Sequence, residues 1–285
     1  MSAQLVALSG QVSGEPVELP LRRSVYLDAY LAPFRPFLAR ETVTEILVNR
    51  PGEVWIEDAA APAMQRVEVP EIDDMLLQRL AEQVARSSHQ GINREHPLLA
   101  ATLIDEGGPN ATGAGGTRIQ LCGPPATRRH WALAIRRHRL VELGLEAWDR
   151  GPIVPVAPVA MPDRNREPIA YLREAIRRRM TILISGGTST GKTTFLNAML
   201  REIPQGERVV VVEDTAELQL PGANGVGLIA VKGDLGEAKV SANDLLQAAL
   251  RLRPDRIVLG ELRGAETISF LRAINTCHPG SFSTV

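Results

Sequence analysis

The chain has 285 residues, 44% of them apolar, a formal net charge of −1 and two cysteines. That length supports two ordinary domains, and the balanced charge excludes a global pull toward nucleic acid or an anionic membrane. Cys122 and Cys277 form no CxxC pair, which excludes a zinc ribbon or a disulfide framework and fits a reduced compartment.

The first residues, 1–24, show no clear periodicity and read as a loosely ordered segment. They lack a basic start followed by an apolar run, and no stretch reaches the roughly 20 apolar residues of a membrane span. The sequence therefore predicts neither a signal peptide nor a membrane helix. Any membrane contact would be peripheral, made from the aqueous side.

Residues 25–148 read as a small α+β domain. In "TVTEILVNRPGEVWIED", Ile46 and Val48 alternate with polar residues, Arg50-Pro51-Gly52 supplies a turn, and Val54 and Ile56 alternate again. "DDMLLQRLAEQVARSSHQG" predicts a helix capped by Asp73, with Leu76, Leu80 and Val84 on one face. "GTRIQLCG" and "HWALAIRR" predict a second strand pair around Pro124-Pro125. His89 and His96, without neighbouring metal partners, read as surface residues.

Residues 149–167 are proline-rich and read as a linker. From 168 to 285 short β-branched runs, "TILIS", "RVVVV" and "RIVLG", alternate with helical stretches, as in a parallel sheet. The helix "SANDLLQAALRLRP" opens with Ser241 and Asp244 at capping-box spacing and stops at Pro254. Arg177-Arg178-Arg179 ends a predicted helix and reads as a solvated, dipole-favoured terminus, with a lipid or partner contact as the lesser alternative.

"GGTSTGKTT", from Gly186 through Gly187, Thr188, Ser189, Thr190, Gly191, Lys192 and Thr193 to Thr194, matches the phosphate-cradling pattern G-x-x-x-x-G-K-[ST]. Its glycines let backbone N–H groups face a phosphate, Lys192 neutralises the β- and γ-phosphates, and the Thr193 hydroxyl can ligate Mg²⁺. The next two buried strands end on acids, Glu213-Asp214 and Glu261. In a parallel sheet those ends share the edge with the glycine loop, where they can orient an attacking water or hold metal-bound water. His278, in a Pro-Gly turn, is expected at a third strand end, hydrogen-bonding the γ-phosphate. Asn-Lys-x-Asp is absent, which argues against a Ras-type GTPase. No basic stripe with interleaved aromatics supports DNA unwinding or base-specific nucleic-acid binding.

The order "GGTSTGKTT", "VVEDTAEL", "LRLRPDRIVLGELRGAE", "INTCHPGSFSTV" resembles the secretion superfamily of hexameric ATPases, above all the traffic ATPase of type IV secretion and conjugation systems. "VTEILVNRPGEVWIED" and "TRIQLCGPPA…WALAIRR" resemble that family's N-terminal domain, so the likeness spans Tyr26 to Val285. The resemblance implies an α/β fold, a RecA-like P-loop NTPase domain preceded by the α+β domain. It implies ATP and Mg²⁺ as ligands, a homo-hexameric ring, inner-membrane secretion components as partners, and a cytoplasmic location. Glu213 would polarise water, Asp214 and Glu261 with Thr193 would serve the metal, and His278 would contact the γ-phosphate. Arg118 and Arg136 match N-terminal-domain arginines that reach the γ-phosphate and would couple hydrolysis to domain movement.

Cys277 stands where the family has glycine, and the chain stops at Val285 inside the histidine motif. The resemblance thus predicts a fragment whose final sheet has an open edge. The rival expectations are a pilus-assembly or type II secretion ATPase, and a nucleotide-binding fragment without turnover. The short N-terminal domain and the missing CxxC module argue against the type II form.

Overall fold

A computed structural model describes residues 25–104, 116–137, 144–149, 151, 160–231, 238–275 and 278–285. The segment 1–24, part of the linker and Cys277 lie outside the described residues.

The first unit begins with helices α1 (Val25–Leu31) and α2 (Arg35–Leu38). Strands β1 (Val43–Val48), β2 (Glu53–Asp58) and β3 (Gln65–Glu68) precede helix α3 (Asp74–Ser87), and β4 (Leu98–Ile104), β5 (Gly116–Cys122) and β6 (Ala132–Arg137) follow it. They form one antiparallel sheet in the order β3-β2-β1-β6-β5-β4. The Asp73 carboxylate accepts the Leu76 N–H at 2.6 Å and so starts α3. The buried face of α3 carries Leu77, Leu80, Ala81 and Val84. Leu77 therefore takes the place expected for Leu76, which packs only partly against the core.

The second unit comprises helix α4 (Pro168–Arg177), β7 (Ile182–Ile184), α5 (Lys192–Leu200), β8 (Val209–Glu213), β9 (Gly225–Ile229), α6 (Ala242–Arg251), β10 (Arg256–Leu259), α7 (Glu266–Asn275) and β11 (Phe282–Thr284). Its sheet, in the order β7-β11-β10-β8-β9, is parallel throughout. Every strand therefore ends on one common edge, and that edge receives the functional loops. Ser241 and Asp244 cap α6 reciprocally, side chain to backbone in both directions. Arg177 and Arg178 at the end of α4 pair with Glu174.

Period-2 alternation in the first sheet serves two cores. Ile46, Val48, Val54, Ile56, Leu133 and Ile135 face α1 and α3. Leu47, Trp55, Cys122, Ala132 and Ala134 face the other way, onto a cluster with Leu245, Leu246 and Ala249 of α6 and Val210 and Val212 of β8. The small Cys122, Ala132 and Ala134 on that second face leave room for α6 to lie close. The Cys122 thiol sits fully buried there, and burial pushes its pKa up to about 12, so it behaves as an apolar group.

The connection between β5 and β6 reaches across to the second sheet. Ile229 N–H donates to the Ala126 carbonyl at 2.9 Å, and Arg128 N–H donates to the Gly227 carbonyl at 3.2 Å. Residues 126–128 thereby cover the edge strand β9. At the far side β7 is the outermost strand among the described residues.

Charges also cross between the units. The Arg253 Nε–H donates to Glu57 at 2.8 Å. Arg208, fully buried, donates from Nη1 to Asn49 and to Asn224, each at 2.7 Å, and from Nε to the Leu252 carbonyl at 2.7 Å. Glu45, on β1, is 4% exposed, its Oε1 lies 3.4 Å from Arg136 Nε, and its Oε2 has no hydrogen-bond partner.

Burial pushes the Glu45 carboxyl up from 4.5 to about 7, against the pull of Arg136 and with added repulsion from Glu57. Between about pH 4.5 and 7 the folded chain keeps a proton that the unfolded chain has lost. This contribution to stability is therefore fully present below pH 4.5, falls as pH rises through about 7, and stays lost above it. The Glu45→Gln variant should flatten the pH 5–7 slope of stability in urea unfolding, gaining about 1–3 kcal/mol relative to the parent on going from pH 5 to pH 8. Parallel slopes for variant and parent would refute this assignment.

Candidate active site

Strand β7 is short, and the chain turns away from it through the glycine loop into α5. Gly191, the residue before α5, has φ 87°, a left-handed conformation that a side chain would strain. That turn aims the first N–H groups of α5 into a cavity of about 720 Å³ at the C-terminal edge of the sheet. Residues 187–194 line it, with Glu213 and Asp214 from the end of β8, Gly260 and Glu261 from the end of β10, Arg263, and Thr284 from β11.

The loop is held by its own groups. Lys192 Nζ donates to the Gly186 carbonyl at 2.7 Å, and the Thr190 hydroxyl donates to the Gly187 carbonyl at 2.8 Å. Gly186 thus supports the lysine and is not itself among the lining residues.

The acids differ in environment. Glu213 is 4% exposed, and its Oε2 accepts the Glu217 and Leu218 N–H groups, each at 3.0 Å. Its Oε1 pairs with Arg128, delivered by the β5–β6 connection. Glu261 is half-buried and accepts from Arg263 Nε at 2.6 Å. Asp214 is exposed to the cavity.

Hard oxygen donors suit Mg²⁺, which keeps several waters and takes phosphate oxygens, so it needs few protein ligands. The Thr193 hydroxyl, Asp214 and Glu261, all lining the cavity, fit that demand. No group of three or more His, Cys, Asp or Glu side chains poised to hold a metal occurs among the described residues. The fit is thus to a nucleotide-bound ion and not to a protein cage.

The family described as "Type II/IV secretion system protein" matches residues 157–285. A type IV secretion system protein PtlH homolog of Bordetella bronchiseptica is 38% identical over 283 residues, 92% of this chain and 78% of the relative. The type IV secretion system protein VirB11 of Bartonella quintana is 33% identical over 279 residues, 90% of this chain and 75% of the relative. The crystal structure of the VirB11 ATPase from the Brucella suis type IV secretion system, in complex with sulphate, matches with a TM-score of 0.77 and 31% identity, over 91% of this chain and 78% of that one.

The chain belongs to the type IV secretion ATPase family.

Within this ATPase the sequence-expected residues divide into two groups. Thr193, Lys192, Glu213, Asp214 and Glu261 meet around one cavity. His278, Arg118 and Arg136 do not line it.

For His278 the reason is strand direction. It precedes β11, so a parallel strand carries it to the N-terminal edge, opposite the loop. There its Nδ1–H donates to the Pro254 carbonyl at 3.0 Å, just before β10. Burial lowers its pKa, and the Pro254 carbonyl opposes that shift. The expected third strand end at the cavity is instead Thr284, whose hydroxyl donates to the Gly260 carbonyl at 2.7 Å.

Arg118 and Arg136 are cross-strand partners on β5 and β6. Both are exposed, and Arg136 faces Glu45. Two further arginines pair with the site's acids, Arg263 with Glu261 and Arg128 with Glu213. Arg263 follows Glu261 by two residues, a signal present in "GELRG". Arg128 meets Glu213 across 85 residues, and no local pattern announces that contact.

Proposed function

We propose that this secretion ATPase binds MgATP in the cavity at the sheet edge and hydrolyses the γ-phosphate bond by water attack. The observation that supports this reading most is the convergence of the glycine loop with the strand-end acids Glu213, Asp214 and Glu261 on one cavity.

The backbone N–H groups at the start of α5 take the phosphate oxygens, and the helix dipole favours their charge. Lys192 exchanges its Gly186 carbonyl for the β- and γ-phosphates, a charge-assisted contact in place of a neutral one. Glu213 polarises the attacking water, since it is a carboxylate placed by two backbone N–H donors at the cavity wall. Thr193 would hold Mg²⁺ directly, with Glu261 and Asp214 through water, and the ion would supply charge neutralisation on the leaving phosphates. Arg263, beside Glu261, is a cation available to the γ-phosphate when that pair opens.

At the level of the assembly, copies of the chain form a homo-hexameric ring in the cytoplasm that serves a type IV secretion apparatus at the inner membrane. The likeness to secretion proteins of Bordetella, Bartonella and Brucella supports that role. No helix among the described residues is long and apolar enough to cross a membrane.

The Glu213→Gln variant tests the chemistry. It should lower kcat about 100-fold or more while ATP affinity changes by less than about twofold, because a general base acts in the transition state and not in binding. Phosphate release and equilibrium nucleotide binding read the two quantities. Wild-type kcat in this variant would exclude Glu213 as the base.

A further inference from the structure

We propose that Arg128 is a positioning residue for hydrolysis: the N-terminal domain uses it to fix the Glu213 carboxylate, so that turnover depends on how the two domains are docked. The inference rests on the water-polarising role proposed for Glu213. It goes beyond that role by assigning its control to the other domain.

Four observations carry it. First, Arg128 pairs with Glu213 Oε1, while Oε2 accepts two backbone N–H groups at 3.0 Å each. The carboxylate is therefore gripped at both oxygens and has one orientation toward the cavity. Second, Glu213 lines the cavity and Arg128 does not, so the arginine can act on bound nucleotide only through the glutamate.

Third, the path of Arg128 is built. Its own N–H donates to the Gly227 carbonyl at 3.2 Å, and its stem crosses Gly227 on β9. A Cβ at Gly227 would stand 2.4 Å from Arg128 Nε and 2.6 Å from Cδ. The strand lacks a side chain where the arginine must pass. Fourth, Arg128 Nε is buried without a hydrogen-bond partner. Folding alone disfavours an unmatched buried donor, so the guanidinium sits where Glu213 holds it.

The physical consequence is domain coupling. Residues 126–128 are tied by backbone hydrogen bonds to β9, next to β8, the strand that ends on Glu213. A shift of the N-terminal domain that breaks these bonds also withdraws the guanidinium and frees the carboxylate to rotate. A misplacement of about 1 Å at a reacting group is enough to slow chemistry about 100-fold.

The test measures kcat and KM for MgATP, with equilibrium binding of a fluorescent ATP analogue, on the whole chain. Arg128→Ala should lower kcat about 10- to 100-fold and leave KM and affinity within about twofold. Arg128→Lys should recover part of kcat, because an ammonium restores charge without the planar fork. Gly227→Ala keeps the arginine but pushes it off its path, and should show the same kcat loss. It also keeps the proposal testable should Arg128→Ala fold poorly.

The double variant Glu213→Gln/Arg128→Ala should be no slower than Glu213→Gln alone, since both changes act through one carboxylate. A merely structural role would instead multiply the two losses, and that result overturns the proposal. An unchanged or raised kcat in Arg128→Ala and Gly227→Ala overturns it equally. Full turnover in Glu213→Gln alone is a separate failure, because it removes the proposed base and the reason for positioning it.

Discussion

The Lys192→Ala variant is expected to lose ATP turnover by a factor on the order of 10³. The ammonium is the cation on the loop itself, and its present partner is the loop carbonyl of Gly186 at 2.7 Å. A neutral N–H donor or water cannot replace a point charge beside two phosphates. Nucleotide affinity should fall as well, because the lysine contact proposed above includes the β-phosphate of the bound ground state. The fold should not notice: the side chain is only partly buried, and its hydrogen bonds stay within the loop. Unfolding stability should change by less than about 0.5 kcal/mol. Phosphate release, nucleotide binding and a urea melt check the three statements. Turnover within about tenfold of the parent would place the chemistry elsewhere.

The second large effect concerns Arg208. This side chain is fully buried between the two domains, and desolvation with repulsion from Arg253 pushes its pKa down to about 9, still cationic at pH 7. It is held by Asn49 of the first domain and by Asn224 and the Leu252 carbonyl of the second. Arg208→Ala removes these donors, leaves the Leu252 carbonyl and the Asn49 oxygen unpaired, and opens a cavity. The expected loss is about 3–5 kcal/mol in denaturant unfolding. Arg208→Met keeps much of the stem volume and carries no desolvation penalty, so it should recover part of that loss. A loss below about 1 kcal/mol for the alanine variant would mean that water enters and satisfies the orphaned groups.

Much of the architecture was legible because it is local. The β1–β2 hairpin follows from alternation on either side of Arg50-Pro51-Gly52, and the caps of α3 and α6 follow from Asp73 and from Ser241 with Asp244. The parallel sheet followed from β-branched runs separated by helices. Other elements carried weaker signals. β3 reads Gln-Arg-Val-Glu and becomes a strand only by pairing with β2. β9 contains two glycines that lower its intrinsic β preference, yet one of them, Gly227, is what admits Arg128.

The same division runs through the candidate site. The spacing of Gly186, Gly191, Lys192 and Thr193 and the acids closing two buried strands are properties of short segments, so they could be read directly. His278 was legible in type but not in place: the order of histidine before strand decides which sheet edge it occupies, and the strand is short and easily overlooked. Arg118 and Arg136 match the family's pattern, but their strand register points them to solvent and to Glu45.

By itself, then, the amino-acid sequence determined the phosphate loop, the acids that accompany it and the parallel sheet that brings their strand ends together, because each depends on spacing within one element or on one topological rule. Only the tertiary structure decided that Arg128 grips Glu213, that Arg208 joins Asn49 to Asn224, and that Glu45 is buried with an unpaired oxygen. The Arg128–Glu213 and Arg208–Asn49 contacts span the two units, and the burial of Glu45 is set by packing around β1. The two contacts arise from how two folded surfaces dock, and docking is set by the summed packing of many residues and not by the spacing of any few.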